Sequence, residues 1–80
     1  MTSALLEDSV SELWDRAVDL ERKGKFREAL SAWLKVRQFD DEHRILDARE
    51  RARMHLFLGN AHSVNGNLQD ASNEYERAAN

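Results

Sequence analysis

The sequence predicts an all-α protein of four helices in two antiparallel hairpins, and three observations predict it. Proline is absent and glycine stands only at positions 24, 59 and 66. Ala, Leu, Glu, Arg and Lys dominate and no stretch shows the strict alternation of a strand, so the composition favours helix throughout. The third observation is a duplicated stretch. Lys23-Gly24-Lys25-Phe26-Arg27-Glu28-Ala29-Leu30-Ser31-Ala32-Trp33 is echoed by Asn65-Gly66-Asn67-Leu68-Gln69-Asp70-Ala71-Ser72-Asn73-Glu74-Tyr75. In both, Gly is followed by a bulky apolar residue, an acid, an Ala and then an aromatic.

The elements follow in order. Residues 1–8 read as a flexible lead-in, and Ser9-Val10-Ser11-Glu12 has the form of a capping box opening the first helix. Val10, Leu13, Ala17 and Leu20 recur at helical spacing with Trp14 and Val18 beside them. Arg22 and Lys23 suit the negative end of that helix, and Gly24 supplies a left-handed cap. The second helix runs from Phe26 to about Phe39 on a stripe of Phe26, Ala29, Leu30, Trp33 and Val36, with Lys35 and Arg37 on the wetter side. Asp40-Asp41-Glu42 reads as the N-cap and first turn of a long third helix, about 42–64. Its broad apolar side would be Ile45, Leu46, Ala48, Ala52, Leu56 and Gly59, with Asp47–Arg51 and Glu50–Arg53 pairs on its surface. Gly59 inside that helix costs about 1 kcal/mol relative to Ala, which points to close approach of a neighbour. Val64-Asn65-Gly66-Asn67 is the second turn, and a fourth helix covers about 68–79 through Leu68, Ala71, Tyr75 and Ala78.

The 80 residues make one domain, 1–80, with a first hairpin at 9–39 and a second at 41–79. A domain this small buries only about 60% of its unfolded-chain surface, and there is no Cys to staple it. Self-association is the remaining way to bury more. The net charge of −3, with 34% charged residues, suits a soluble protein and not a general nucleic-acid or membrane binder, and the absence of Cys is compatible with a cytoplasmic setting. No apolar run approaches the roughly 20 residues of a membrane span, and the acidic N-terminus is unlike a secretory signal.

Aligning Gly24 with Gly66 superimposes Phe26 on Leu68, Ala29 on Ala71, Trp33 on Tyr75 and Ala17 on Gly59. Over residues 10–37 and 52–79 this pattern resembles the tetratricopeptide repeat, in which small residues of paired helices meet beside a turn and aromatics fill the space between. The copies lie 42 residues apart, longer than the family's period of about 34, so residues 41–51 read as extra length on the third helix. Asp41 stands where the family carries a closing Pro. A second resemblance runs over residues 13–57. Leu20-Glu21-Arg22-Lys23-Gly24, Arg27-Glu28-Ala29, Trp33-Leu34-Lys35-Val36 and Ala48-Arg49-Glu50-Arg51 look like the small PerC and ANR regulators of bacterial virulence genes. That resemblance implies control of transcription through protein contacts.

No chemistry-bearing constellation emerges. His43, His55 and His62 lack i,i+4 spacing and read as surface or interface histidines rather than metal ligands. Without Cys or a positioned Ser–His pair there is no nucleophile, and Asp40 and Asp41 are explained by capping. No phosphate loop is present, so the expectation is a non-enzyme with no cofactor and no metal. Arg44, Arg49, Arg51 and Arg53 are matched by Asp41, Glu42, Asp47 and Glu50, which argues against direct nucleic-acid binding. Function is therefore expected to be binding of another protein or of a second copy. The tetratricopeptide resemblance implies that Ser11, Trp14, Val18 and Glu21 of the first pair face a groove opposite Arg53, Leu56, Asn60 and Ser63 of the second. Trp14, Val18, Glu21, Arg53, Leu56 and Asn60 are the candidate protein-binding residues, Trp being a common hot-spot anchor. The bland alternative packs Trp14, Val18 and Leu56 against Leu5 and Leu6 within the chain.

Overall fold

A computed structural model describes residues 2–79, with side chains from residue 5 onward. Four helices follow one another: α1 (Thr2–Arg22), α2 (Phe26–His43), α3 (Ala48–Val64) and α4 (Leu68–Ala79). No strand occurs among the described residues. Each helix packs on its chain neighbour, α1 on α2, α2 on α3 and α3 on α4.

The two short turns are the same structure twice. Gly24 and Gly66 take φ of +74° and +83°, a region open to glycine because it has no Cβ to clash. At the first turn the Gly24 amide donates to the Glu21 carbonyl and the Lys25 amide to the Leu20 carbonyl, both at 3.0 Å. At the second, the Gly66 amide donates to Ser63 at 3.0 Å and the Asn67 amide to His62 at 2.8 Å. These are the paired bonds of a Schellman motif, which satisfies the orphan carbonyls at a helix end. The duplicated sequence therefore reproduces its hydrogen bonds.

The ends of the long segments differ from the expectation. α1 begins at Thr2, so residues 2–8 continue the helix; Met1 lies outside the described residues. Ser9 through Glu12 sit inside α1 and do not form an N-terminal capping box. α2 extends through Asp40, Asp41 and Glu42 to His43, so the acidic triplet closes the second helix rather than opening the third. The long third helix is not formed: α3 has 17 residues and α1, with 21, is the longest. The true start of α3 is a complete capping box, in which Asp47 Oδ1 accepts from the Glu50 amide at 2.8 Å and Glu50 Oε1 accepts from the Asp47 amide at 2.9 Å. Neither Asp47 nor Glu50 forms a surface pair with an Arg of α3. The extra residues between the copies lengthen α2 and make a connector over residues 44–47, where Arg44 takes a left-handed conformation at φ 52°.

The core is an aliphatic and aromatic cluster of Val10, Ala17 and Leu20 from α1, Ala29, Ala32, Trp33 and Val36 from α2, Leu46 of the connector, and Met54, Leu58 and Ala61 from α3. Trp33 is fully buried. Its ring stacks on Phe57 at 5.0 Å between centroids and meets Trp14 edge-on at 4.9 Å, the offset and T-shaped geometries that aromatic quadrupoles favour. The apolar face of α3 is thus Met54, Leu58, Ala61 and their neighbours. Leu56, placed by the sequence on that side, is instead 45% exposed. In α4, Ala71 is buried while Leu68 is exposed, and the other inward residue is Glu74 rather than Tyr75.

Small residues do the work that the duplication suggested. Ala17 and Ala29 are buried at the first hairpin, Gly59 and Ala71 at the second. A Cβ on Gly59 would fall 2.5 Å from Cε1 of Tyr75, so glycine is what lets that ring lie on α3. Each hairpin ties its aromatic to the preceding helix by a hydrogen bond. Trp33 Nε1 donates to Glu21 Oε1 at 2.7 Å, and the Tyr75 hydroxyl donates to Asn60 Oδ1 at 2.6 Å.

Candidate functional site: the seam between the first and third helices

Positions 14, 18 and 21 of α1 and 53, 56 and 60 of α3 are spaced three and four apart, which puts each set on one helix face. The structure brings the two faces together. Trp14 and Arg53 line one groove, of about 180 Å³, with Val10, Ser11, Asp15, Leu46 and Glu50. Glu21 and Asn60 line a second, of about 200 Å³, with Phe26, Ala29, Ala61 and Val64. Because Trp14 faces Arg53 and Glu21 faces Asn60, α1 and α3 run in the same direction along this seam.

Each of the six residues has a defined place. Trp14 is half-buried and belongs to the aromatic cluster, touching Trp33 and, edge-on at 5.9 Å, Phe57. It does not rest on Leu5, which is 69% exposed. Val18 is half-buried against the core. Glu21 is occupied by the Trp33 indole, and Asn60 by the Tyr75 hydroxyl, so both are oriented from behind. The Arg53 guanidinium lies 5.9 Å from the Trp14 ring centroid and 5.8 Å from that of Phe57. Such cation–π contacts contribute about 0.5–1 kcal/mol at exposed sites. Leu56 is exposed and, like Val18, lines neither groove.

The two grooves differ in chemistry. The first mixes Asp15, Glu50 and Arg53 with the Trp14 ring. The second is walled mainly by Phe26, Ala29, Ala61 and Val64, with Phe26 and Val64 largely exposed. Both are small beside the roughly 300–1,000 Å³ of small-molecule pockets.

Three polar features escaped the sequence reading. Asp40 is fully buried. Its Oδ2 accepts from Arg51 Nε at 2.6 Å, and its Oδ1 accepts from Arg51 Nη2 at 3.1 Å and from the Leu46 amide at 2.9 Å. Arg51 also caps the Leu46 carbonyl at 2.7 Å. Burial disfavours the Asp40 carboxylate, but the Arg51 bonds, the Leu46 amide and the Arg51 and Arg44 charges together outweigh it and hold its pKa below the ordinary value. The hydrogen bond to Asp40 in turn raises that of Arg51. Asp40 is therefore the latch of the connector and no helix cap. Asp47 at the real cap was legible as an acid three residues before Glu50 ahead of an apolar helix.

The second feature is Glu74, buried against Arg37 and Arg77, with His55 Nδ1 at 2.6 Å from its Oε2. The third is Asn65, whose Nδ2 donates to the Ala61 carbonyl at 2.8 Å and to the Phe26 carbonyl at 3.1 Å, joining the second turn to the first hairpin. No group of three or more His, Asp or Glu side chains among the described residues is arranged to hold a metal ion. His62 is buried beside Asn67, and the His43 ring meets Phe39 at a 51° tilt with 4.5 Å between centroids. Of the four arginines of residues 44–53, Arg51 is committed to Asp40 and Arg53 to the aromatic rings, which leaves no continuous basic stripe. No helix among the described residues is long and apolar enough to cross a membrane.

No protein-family model, no curated protein and no solved structure matches this chain.

Proposed function

We propose that the chain is a non-catalytic protein-interaction module whose two hairpins stack in the manner of tetratricopeptide repeats, and that it binds a partner polypeptide or a second copy along the α1–α3 seam. The observation that carries this reading is the pairing of Trp14 with Arg53 and of Glu21 with Asn60 across one open surface. In a repeat array the first helices of successive pairs line the inner surface, and on this reading the seam corresponds to that surface. Leu56, three residues from Arg53 and four from Asn60 on α3, adds an exposed apolar side chain beside the grooves, and Trp14 a rigid aromatic one backed by Trp33. Hot spots of this kind need a preformed, well-packed base, which the Trp14–Trp33–Phe57 cluster supplies.

Leu56→Glu tests the reading without touching the core. The variant is expected to keep its helical circular dichroism and lose the partner, or the self-association, that the native protein shows in affinity capture and sedimentation. A native protein that stays monomeric and retains nothing, or a partner held equally by native protein and variant, would contradict it.

A further inference from the structure

Three helices converge on the buried side chain of Glu74. Its Oε1 accepts from Arg37 Nη1 of α2 at 2.8 Å and from Arg77 Nη1 of α4 at 3.2 Å, and its Oε2 lies 2.6 Å from His55 Nδ1 of α3. The Glu74 side chain is only 3% exposed, whereas Arg37 and Arg77 are 32% and 58% exposed. One carboxylate thus bridges two guanidinium groups, and Asp41 on the cleft wall balances the charge that remains. A guanidinium has five N–H donors, and Glu74 engages one nitrogen of each. Beside this cluster opens a cleft of about 500 Å³ lined by Arg37, Asp41, His55 and Arg77. A smaller cleft on the α2–α4 side shares both arginines.

We propose that this cleft binds a phosphate group, held by Arg37 and Arg77 and positioned by Glu74. Guanidinium forks match a tetrahedral oxyanion bidentately, and charge-assisted bonds of this kind are roughly twice as strong as neutral ones. Arranging two free arginines at one point is opposed by their repulsion and by side-chain entropy. The buried carboxylate offsets both before the ligand arrives, which is the preorganisation that raises affinity. Asp41, exposed on the cleft wall, faces the ligand as a like charge, in addition to Glu74 and to Asp70 of the smaller cleft. It sets a sign: removing it strengthens binding, whereas removing either arginine weakens it. The site lies apart from the α1–α3 seam and does not depend on the seam's role.

The test is an NMR titration of the full chain with inorganic phosphate, chloride being exchanged out to keep ionic strength constant. A parallel titration uses a short phosphoserine peptide and its unphosphorylated twin. Saturable shifts are expected at residues 37, 55 and 77. Arg77→Gln should weaken binding by about tenfold or more, Asp41→Asn should tighten it, and Arg16→Gln, on the exposed face of α1, should leave it unchanged. Arg77→Lys, which keeps the charge and loses the fork, guards against a fold effect and should also bind more weakly. Tighter binding of the phosphopeptide than of phosphate identifies a phosphorylated chain as the ligand, and equal binding identifies a small phosphate. Absence of saturable shifts, shifts indifferent to Arg77→Gln, or equal binding of the two peptides would overturn the proposal.

Discussion

The two hairpins share a turn and differ in what their aromatic residue does. At Trp33 the ring is sealed on both sides, by Trp14 and by Phe57, because α3 follows and covers it. At Tyr75 the ring rests on Gly59 and is 38% exposed, with none of the described helices lying over its outer side. The inward faces differ as well. α2 buries Ala29, Ala32, Trp33 and Val36 together with the Asp40 carboxylate near its end, whereas α4 buries Ala71 and the Glu74 carboxylate and no large apolar side chain among the described residues. The same local geometry therefore gives a hydrophobic hairpin in one place and a largely polar one in the other. A repeated sequence specifies its turn locally, but the energy of each copy depends on what is stacked upon it.

The comparison is broken most severely by Trp33→Ala. Truncating a fully buried aromatic costs about 3–5 kcal/mol, while a domain of this size holds only about 4–12 kcal/mol in total. Denaturant unfolding should show the midpoint of the variant lowered by about a third or more of its native value. Tyr75→Ala should cost only about 1–2 kcal/mol, with the loss of helical signal confined to α4.

Asp40→Ala comes next, since it leaves Arg51 and the Leu46 amide without their buried partner. Breaking a buried pair from one side costs about 3–5 kcal/mol, and the partial exposure of Arg51 puts the expected loss at the lower end. The pH dependence has a definite sign. A carboxylate with a depressed folded-state pKa contributes stability above its unfolded value, about 3.9, and that stability is lost as pH falls toward the folded value. Native protein should therefore weaken as pH falls below about 4 by more than Asp40→Asn does, in thermal scans across that window.

Gly59→Ala sharpens the contrast between the aromatics. Alone it should destabilise, because the Tyr75 ring must move off α3 and strain its bond to Asn60. In a Tyr75→Ala background the obstacle is gone, and the same change should stabilise by about 1 kcal/mol through helix propensity. A double-mutant cycle with no coupling would refute the contact. The smallest effect concerns the connector. Arg44 occupies a left-handed conformation that glycine enters freely at the two turns, so Arg44→Gly should raise stability by no more than about 1 kcal/mol.

What was legible in the sequence follows from how local each cause is. Gly24 and Gly66 announce their turns because a positive φ is a single-residue property. The small and aromatic positions Ala17, Ala29, Gly59 and Trp33 could be read from their spacing, whereas the α1 and α3 positions named for a groove came from the tetratricopeptide resemblance, and of these Val18 and Leu56 line neither groove. The acidic triplet misled because an acid suits a helix start, yet Asp40 answers Arg51, eleven residues onward across a connector. Ser9-Val10-Ser11-Glu12 looked like a cap, but the same four residues are stable inside a helix that began earlier. Glu74 was invisible for a related reason: its partner Arg37 is 37 residues away, and nothing in an isolated helix marks one charge as the buried one. Leu56 was assigned inward because apolar residues surround α3 on several sides, and only packing chose Met54 and Leu58 over it.

The central claim is that one duplicated turn carries two hairpins of unequal strength. Native-state amide hydrogen exchange, read residue by residue, tests it most directly. Amides of α2 and of Met54 through Leu58 are predicted to exchange only by global unfolding, while those of α4 open at clearly lower free energy. Protection in α4 equal to that around Trp33 would contradict the account.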